Sequence, residues 1–385
     1  MDHLSEVLRI LEGALQHNVR KVADYAGLLA DKLESDGNAK QATMIRQKLA
    51  RIPQQTFTPT ALENALPVDS ESQLHMVDEE QPLVKDIQLI LPDNVVARLD
   101  EFTSSIHATD KLAAAGIRHP ARLLLYGPPG CGKTQVAKLI AAQLALPLLT
   151  VRCDTLVSSL LGQTSRNLRR VFDHAENRPC ILFLDEFDSL AKTRTDEREV
   201  GELQRIVIAL LQNIDALPPE TILLAATNHD ELLDRAVWRR FAWHMQLSLP
   251  DVALRQRIWE KKLGEYAPHD LKFDVLAELS EGLSGAAIEH VAHDAIRSTV
   301  IHGNDKTGSV DLLRRLGLVI AMNRGINLDS REKEIEFLRQ WATKRLALRK
   351  LAEYYGISVR QTDKAAKGGV HGSKHGEPDS SRKTA

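Results

Sequence analysis

The sequence predicts an α/β protein: a parallel-sheet core with a C-terminal helical lid, a small all-α N-terminal unit and a helical C-terminal extension. Three observations predict it. Five short apolar runs, at 122–126, 147–152, 180–184, 221–227 and 243–249, alternate with stretches of helical periodicity. That alternation is the pattern of strand–helix–strand units and a mostly parallel sheet. From 251 to 322 the periodicity is helical, with an amphipathic stretch at 252–263 and a further helix opening at Ser284. Before residue 52 and after residue 322 apolar residues again recur at helical spacing.

Taken in order, residues 1–52 form the N-terminal helical unit. Leu4, Val7, Leu8, Leu11 and Leu15 fall on one helical face, as do Val22, Ala26, Leu29 and Leu33, and then Met44, Ile45 and Leu49; Gly37-Asn38 separates the last two helices. The unit is expected to be polar outside and is too small to be catalytic. It suits an oligomerisation or packing module, or one that binds an adaptor. Pro53, Pro59, Pro67 and Pro82 punctuate a polar, acidic stretch, expected to be a linker over 53–82. The core follows at 83–250, the lid at 251–322 and a basic helical extension at 323–366. The tail 367–385 is rich in Gly, Ser, Lys and His and is expected to be disordered.

Composition narrows the classes. A chain of 385 residues is long for one compact domain, and its net charge of −2 exerts no global pull toward nucleic acid or membrane. Charge is unevenly placed, however: residues 1–80 carry 13 Asp/Glu against 8 Lys/Arg, and residues 331–385 carry 13 Lys/Arg against 7 Asp/Glu. Cys131, Cys153 and Cys180 lack metal-ligand spacing and suit a reducing compartment. No basic-then-apolar leader opens the chain and no apolar run reaches membrane-spanning length, so a cytoplasmic protein without a membrane partner is expected.

The chemistry begins at Gly127-Pro128-Pro129-Gly130-Cys131-Gly132-Lys133-Thr134, set between a strand and a helix that continues through Gln135. In that context a G-x-x-x-x-G-K-[ST] run cradles phosphates. Its glycines turn backbone N–H groups inward, the helix N-terminus adds its dipole, Lys133 reaches the β- and γ-phosphates, and Thr134 offers a hydroxyl to Mg²⁺. ATP and Mg²⁺ are therefore the expected ligands. Downstream, the apolar run 181–184 ends in Asp185-Glu186. Carboxylates at a strand's carboxyl end stand where ligands bind in open α/β sheets. Asp185 is expected on Mg²⁺ and Glu186 on the attacking water. Asn228, after the run 222–227, can orient that water. Arg239 and Arg240 follow, and an arginine reaching a neighbour's nucleotide would neutralise charge that develops during phosphoryl transfer.

Over roughly residues 85–300 the chain resembles the AAA family of P-loop ATPases, in the branch with a second region of homology. The resemblance rests on 127–134, 182–188, Ala226-Thr227-Asn228, 234–241 and Gly282-Leu283-Ser284-Gly285-Ala286. It implies a P-loop NTPase core, nucleotide contact from Gly285 and Ala286, and a homo-oligomeric ring, a hexamer, with ATP sites between subunits. It also implies work on a macromolecular client held at or threaded through the pore. Two departures matter. Leu160 stands where the family carries a pore-loop aromatic, and Arg239-Arg240 lack the glycine that often separates the two arginines, of which Arg240 is preferred. The layout is similar to small bacterial AAA ATPases, some of them encoded beside subtilisin-like proteases and tied to plasmid incompatibility or phage defence. That similarity implies a protease partner.

The segment 346–362 has the look of a helix-turn-helix: Leu351 and Ala352 inward, Gly356 in the turn, Ser358 capping, with Arg360, Gln361 and Lys364 toward a groove. Duplex DNA bound through residues 331–366 is the alternative partner, in a DNA-associated ATP-switch regulator. A plain helical appendage with the same caps is equally compatible with these residues.

Overall fold

The computed structural model describes residues 3–16, 18–50, 67, 76–117, 120–151, 164–188, 200–342 and 345–367, with residues 200–205 described by backbone alone. Cys153, the segment around Leu160, most of the expected linker and the tail from 368 lie outside the described residues. The chain divides into two units, Met1–Ser248 and Leu249–Ala385.

Among the described residues, the first unit is built on six strands: β1 (Val77–Glu80), β2 (Arg122–Tyr126), β3 (Leu148–Val151), β4 (Ile181–Leu184), β5 (Ile222–Thr227) and β6 (Trp243–Gln246), in the order β1-β3-β4-β5-β2-β6. All pairings are parallel except that of β1 with β3. Every residue of β4 and β5 is buried, as expected of strands covered on both faces. Side chains alternate between two cores. Leu124, Leu149, Leu182, Leu184, Leu223 and Ala225 meet Leu168, Val171 and Phe172 of α7 (Thr164–Glu176) and Leu210 and Ile214 of α8 (Val200–Ala216). Leu123, Leu125, Ile181, Phe183, Leu224 and Ala226 meet Leu99 and Phe102 of α4 (Asp93–His107) and Val136 and Ile140 of α6 (Lys133–Leu144). A short α5 (Thr109–Ala114) follows α4, and α9 (Arg235–Trp238) precedes β6.

Strand β1 departs from the sequence reading, which ran the linker to 82. Val77 to Glu80 align with Val151 to Leu148 as an antiparallel edge. The tetrapeptide Val-Asp-Glu-Glu has little strand propensity. It is fixed by burial of Met76 and Val77 and by ion pairs of Glu79 with Arg178 and Glu80 with Lys138, the latter at 2.9 Å.

The N-terminal helices are α1 (Leu4–Leu15), α2 (Val19–Ser35) and α3 (Ala39–Leu49). Asn18 accepts from the Lys21 N–H at 3.0 Å and starts α2. They join the core through Ser5 N–H to Asp110 (3.2 Å) and Arg9 to Glu220 (3.3 Å). The expectation of a polar exterior fails on α1, whose buried residues are Glu6, Arg9 and Gly13 while Leu4, Val7, Leu8, Leu11 and Leu15 face solvent. The polar side goes inward because each charge on it finds a partner: Glu6 pairs with Lys32, Arg9 with Glu12 and Glu220, and Glu12 with Lys21.

Among the described residues, the α-helices of the second unit are α10 (Val252–Leu263), α11 (Phe273–Leu279), α12 (Gly285–Ile301), α13 (Ser309–Asn323), α14 (Arg331–Trp341), α15 (Leu348–Tyr355) and α16 (Val359–Lys367), with no strand. Asp251, Ser284 and Ser330 cap three of them. Fully buried Trp259 donates to Ser280 Oγ at 3.0 Å. A Cβ on Gly317 would lie 2.4 Å from Leu338 Cδ2, so α13 and α14 approach closely there. The sequence reading divided lid from extension at 322, yet these helices pack across that point within one unit.

Candidate functional site

The register Tyr126↔Thr227 and Leu184↔Ala225 brings the residues after β2, β4 and β5 to one end of the sheet. Those residues are the glycine loop, Asp185-Glu186 and Asn228. Backbone conformation explains the loop's glycines. Gly127 (φ 133), Gly130 (φ 75) and Gly132 (φ 97) occupy the left-handed region. A Cβ on Gly127 would sit 2.2 Å from the Leu247 carbonyl oxygen. Pro128, Pro129 and Gly130 are exposed, Cys131 is half-buried with its thiol pushed up by burial, and Gln135 is exposed on the first turn of α6.

Lys133 opens α6 and is buried; its Nζ donates to the carbonyls of Gly127 (2.6 Å) and Pro128 (2.9 Å). Burial lowers its pKa against the pull of Asp185, Asp188 and Asp230. Thr134 Oγ1 donates to Asp185 Oδ2 at 2.8 Å, and the Glu186 N–H donates to Asp185 Oδ1 at 3.0 Å. Glu186 is exposed at φ 50, a left-handed backbone uncommon for a residue with a side chain. The next N–H, of Phe187, reaches Ala226 O at 2.8 Å, tying the end of β4 to β5. Such strain is tolerated where surrounding contacts fix it and marks functional turns.

Asp188 received no individual role from the sequence. It is buried and accepts from Thr227 Oγ1 at 3.1 Å, and Thr227 Oγ1 accepts from the His229 N–H at 3.0 Å. These bonds brace both sides of half-buried Asn228. The available signal was its place in the sequence, three residues beyond Asp185.

The two arginines differ. Arg240 is held by Asp215, with Nε at 3.2 Å and Nη2 at 3.1 Å, and donates to Ala236 O at 2.9 Å. Arg239 is exposed; its backbone N–H donates to Arg235 O at 3.3 Å, and its side chain makes no hydrogen bond or ion pair among the described residues. Asp215 was invisible to motif reading because it stands on α8, 25 residues upstream.

Gly285 and Ala286 form the first turn of α12 in the second unit, after the Ser284 cap, half-buried and exposed respectively. At the C-terminal candidate, Leu351 and Ala352 are buried and Gly356 is left-handed at φ 64. Arg360 and Lys364 are exposed. Gln361 Oε1, however, accepts from Ser358 N–H (2.9 Å) and Oγ (2.8 Å), while the Gln361 N–H donates to Ser358 Oγ at 3.2 Å. This is a reciprocal capping box. The Gln361 side chain is thus engaged locally.

A phosphate loop running from β2 into α6, with a pair of carboxylates at the end of β4, defines a P-loop ATPase. Comparison with known proteins places it further. The profile of the "ATPase family associated with various cellular activities (AAA)" matches residues 123–249. An uncharacterized AAA family ATPase, y4kL, of Sinorhizobium fredii is 36% identical over 291 residues, 75% of this chain and 87% of that protein. A proteasome-activating nucleotidase of Sulfurisphaera tokodaii is 30% identical, covering 67% of this chain and 71% of its own length. An ATP-dependent zinc metalloprotease FtsH 3 of Sphaerobacter thermophilus is 32% identical over 61% of this chain and 50% of its own. The chain belongs to the AAA family and is an ATPase, hydrolysing ATP to ADP and phosphate. Among the described residues, no helix is long and apolar enough to cross a membrane.

Proposed function

We propose that this protein couples ATP hydrolysis to the remodelling or activation of a protein client, as a homo-oligomeric ring of six whose ATP sites are completed by the neighbouring subunit. The observation that carries this reading is the disposition of charge. Each chain supplies a phosphate cradle, a carboxylate pair and an amide at one sheet end, while the exposed Arg239 side chain has no partner among the described residues.

Within a subunit, residues 127–134 hold the phosphates and Lys133 places its ammonium against the β- and γ-oxygens. Thr134 and Asp185 are a hydroxyl and a carboxylate 2.8 Å apart, hard oxygen donors of the kind that suit Mg²⁺ shared with phosphates. Bound there, Mg²⁺ would neutralise phosphate charge. Glu186 accepts the proton of the attacking water and Asn228 orients that water. Arg239 of the adjacent subunit stabilises charge on the leaving phosphates, a contribution of about 10³–10⁵ in rate in other phosphoryl-transfer enzymes. Arg240, preferred on sequence grounds, is instead the arginine that Asp215 anchors. Gly285 and Ala286 would contact nucleotide from the helical unit.

A protein client is favoured over duplex DNA for residues 331–366 because Gln361, a groove-reading candidate, is spent on a cap. Two relatives bear names tied to proteolysis, which supports a partner protease, as in the bacterial plasmid-maintenance and phage-defence settings of similar layouts. The test is Glu186→Gln. It should bind ATP, lose hydrolysis and retain a client and its neighbours through purification. Hydrolysis at the parent rate would overturn the role given to Glu186.

A further inference from the structure

Glu186 and Asn228 follow neighbouring strands, β4 and β5, and in the reading above they act on the same water. Beyond the strand pairing Leu184↔Ala225, two ties join the segments that carry them. The Phe187 N–H donates to Ala226 O at 2.8 Å, and Thr227 Oγ1 donates to Asp188 Oδ1 at 3.1 Å. The first tie is backbone alone, whereas the second requires these two side chains. We propose that Asp188 is a positioning residue for hydrolysis, which holds the Asn228 amide in place against Glu186 through the Thr227 hydroxyl. The proposal rests on the roles given to Glu186 and Asn228 above.

The direction of the bonds is forced. The His229 N–H can only donate, so the Thr227 hydroxyl, 3.0 Å away, accepts from it and spends its one proton on Asp188. Asn228 lies between the two residues joined in this way. Thr227 is wholly buried and Asp188 nearly so, which leaves solvent little access to replace the bond between them. Thr227 is also stiff at χ1, because its Cβ carries two heavy atoms. Half-buried Asn228 therefore projects from a backbone whose course is set by one hydroxyl and the carboxyl group that orients it.

This arrangement bears on hydrolysis more than on nucleotide binding. Residues 127–134 grip the phosphates, and neither bond of the Thr227 hydroxyl touches that loop. The water, by contrast, must be aimed, and a displacement of about 1 Å in a reacting group can cost about 10²-fold in rate. Asp188 itself is a blunt probe, because its charge also pulls on Lys133. Thr227 is the sharper one. Thr227→Val nearly keeps the shape, removes the hydroxyl and leaves the charge of Asp188 in place, while Thr227→Ser keeps the hydroxyl and removes only a methyl group.

The experiment measures steady-state ATP hydrolysis by the full chain, with assembly followed by mass and ATP affinity measured separately. Thr227→Val should lower kcat about tenfold or more, with KM and ATP affinity within about twofold of the parent's. Thr227→Ser should recover most of that rate. In an Asn228→Ala background, itself slow, adding Thr227→Val should cost no more than about a further twofold, because the group it positions is gone. Asn228→Ala hydrolysing at the parent rate would overturn the role given to Asn228 and this proposal with it. A slow Asn228→Ala beside Thr227→Val at the parent kcat would overturn the proposal alone. So would a Thr227→Val loss that is carried by ATP affinity, or that appears in full on top of Asn228→Ala. Thr227→Ser as slow as Thr227→Val, or slow where Thr227→Val does not fold, would assign the effect to packing and refute the positioning role.

Discussion

Replacing Gly127 by alanine should disable the site through the backbone alone. The added Cβ would meet Leu247 O at 2.2 Å and Leu247 C at 3.0 Å, both backbone atoms, at a φ of 133 that side chains rarely adopt. Leu247 cannot simply yield, since its N–H donates to Tyr126 O at 2.8 Å at the end of the β2–β6 pairing. Backbone strain of this kind costs about 1–3 kcal/mol, and losing the neighbouring hydrogen bond adds about 1 kcal/mol. The sum, about 2–4 kcal/mol, corresponds to a melting temperature lower by about 4–16 °C for a unit of this size. Gly132→Ala is the control. It is also left-handed, at φ 97, but its Cβ would press only on Leu89 Cδ1, the end of a flexible side chain, at 2.9 Å. Thermal unfolding with and without ATP should rank the parent above Gly132→Ala and Gly132→Ala above Gly127→Ala, the last without stabilisation by ATP. A Gly127→Ala protein melting within about 1 °C of the parent, with parent ATP affinity, would refute the steric reasoning.

Other consequences follow from particular contacts. Asp215→Asn removes the counter-charge from Arg240 and from nearby buried Arg122, whose pKa burial already lowers. Because Asp215 is half exposed, the loss should be modest, about 1 kcal/mol after solvent screening, and should appear in thermal unfolding; an unchanged melting temperature would count against the anchoring role. The Glu6 carboxyl is pushed up by burial, but Lys32 more than offsets this and leaves it below its usual value. Its contribution is therefore present above the unfolded carboxylate range and is lost as pH falls through the lower folded value. Hydrogen exchange over residues 4–35 should show protection at pH 6 that declines below about pH 4, and Glu6→Gln should blunt that dependence. Equal protection at both values in the parent would contradict it.

Much of the fold was legible because the central strands are buried on both faces, so that 181–184 and 222–227 read as unbroken apolar runs. The glycine loop was legible for a related reason: positive φ and close approach leave one residue type at Gly127. Periodicity could not report which way a helix faces. Leu4 to Leu15 announce α1 correctly, but orientation depends on Lys32, Lys21 and Glu220, residues of other elements that satisfy its polar side. Strand β1 was hidden because its register depends on Arg178 and Lys138. In the site, the carboxylates and amide could be read from their places after strands. The distinction between Arg239 and Arg240 could not, since it is made by Asp215 on a different helix.

The claim at the centre is that each ATP site is shared, with Arg239 acting on the neighbour's nucleotide. Arg239→Ala should bind ATP and lose hydrolysis by about 10³-fold, and Lys133→Ala should fail through its own loop. Mixed in equal amounts, random rings place an intact loop beside an intact arginine at about a quarter of interfaces, because head-to-tail contacts pair unlike surfaces. ATPase activity should be restored toward about a quarter of the parent's. Subunits that exchange, as followed by mass, yet show no recovery at any mixing ratio would contradict it.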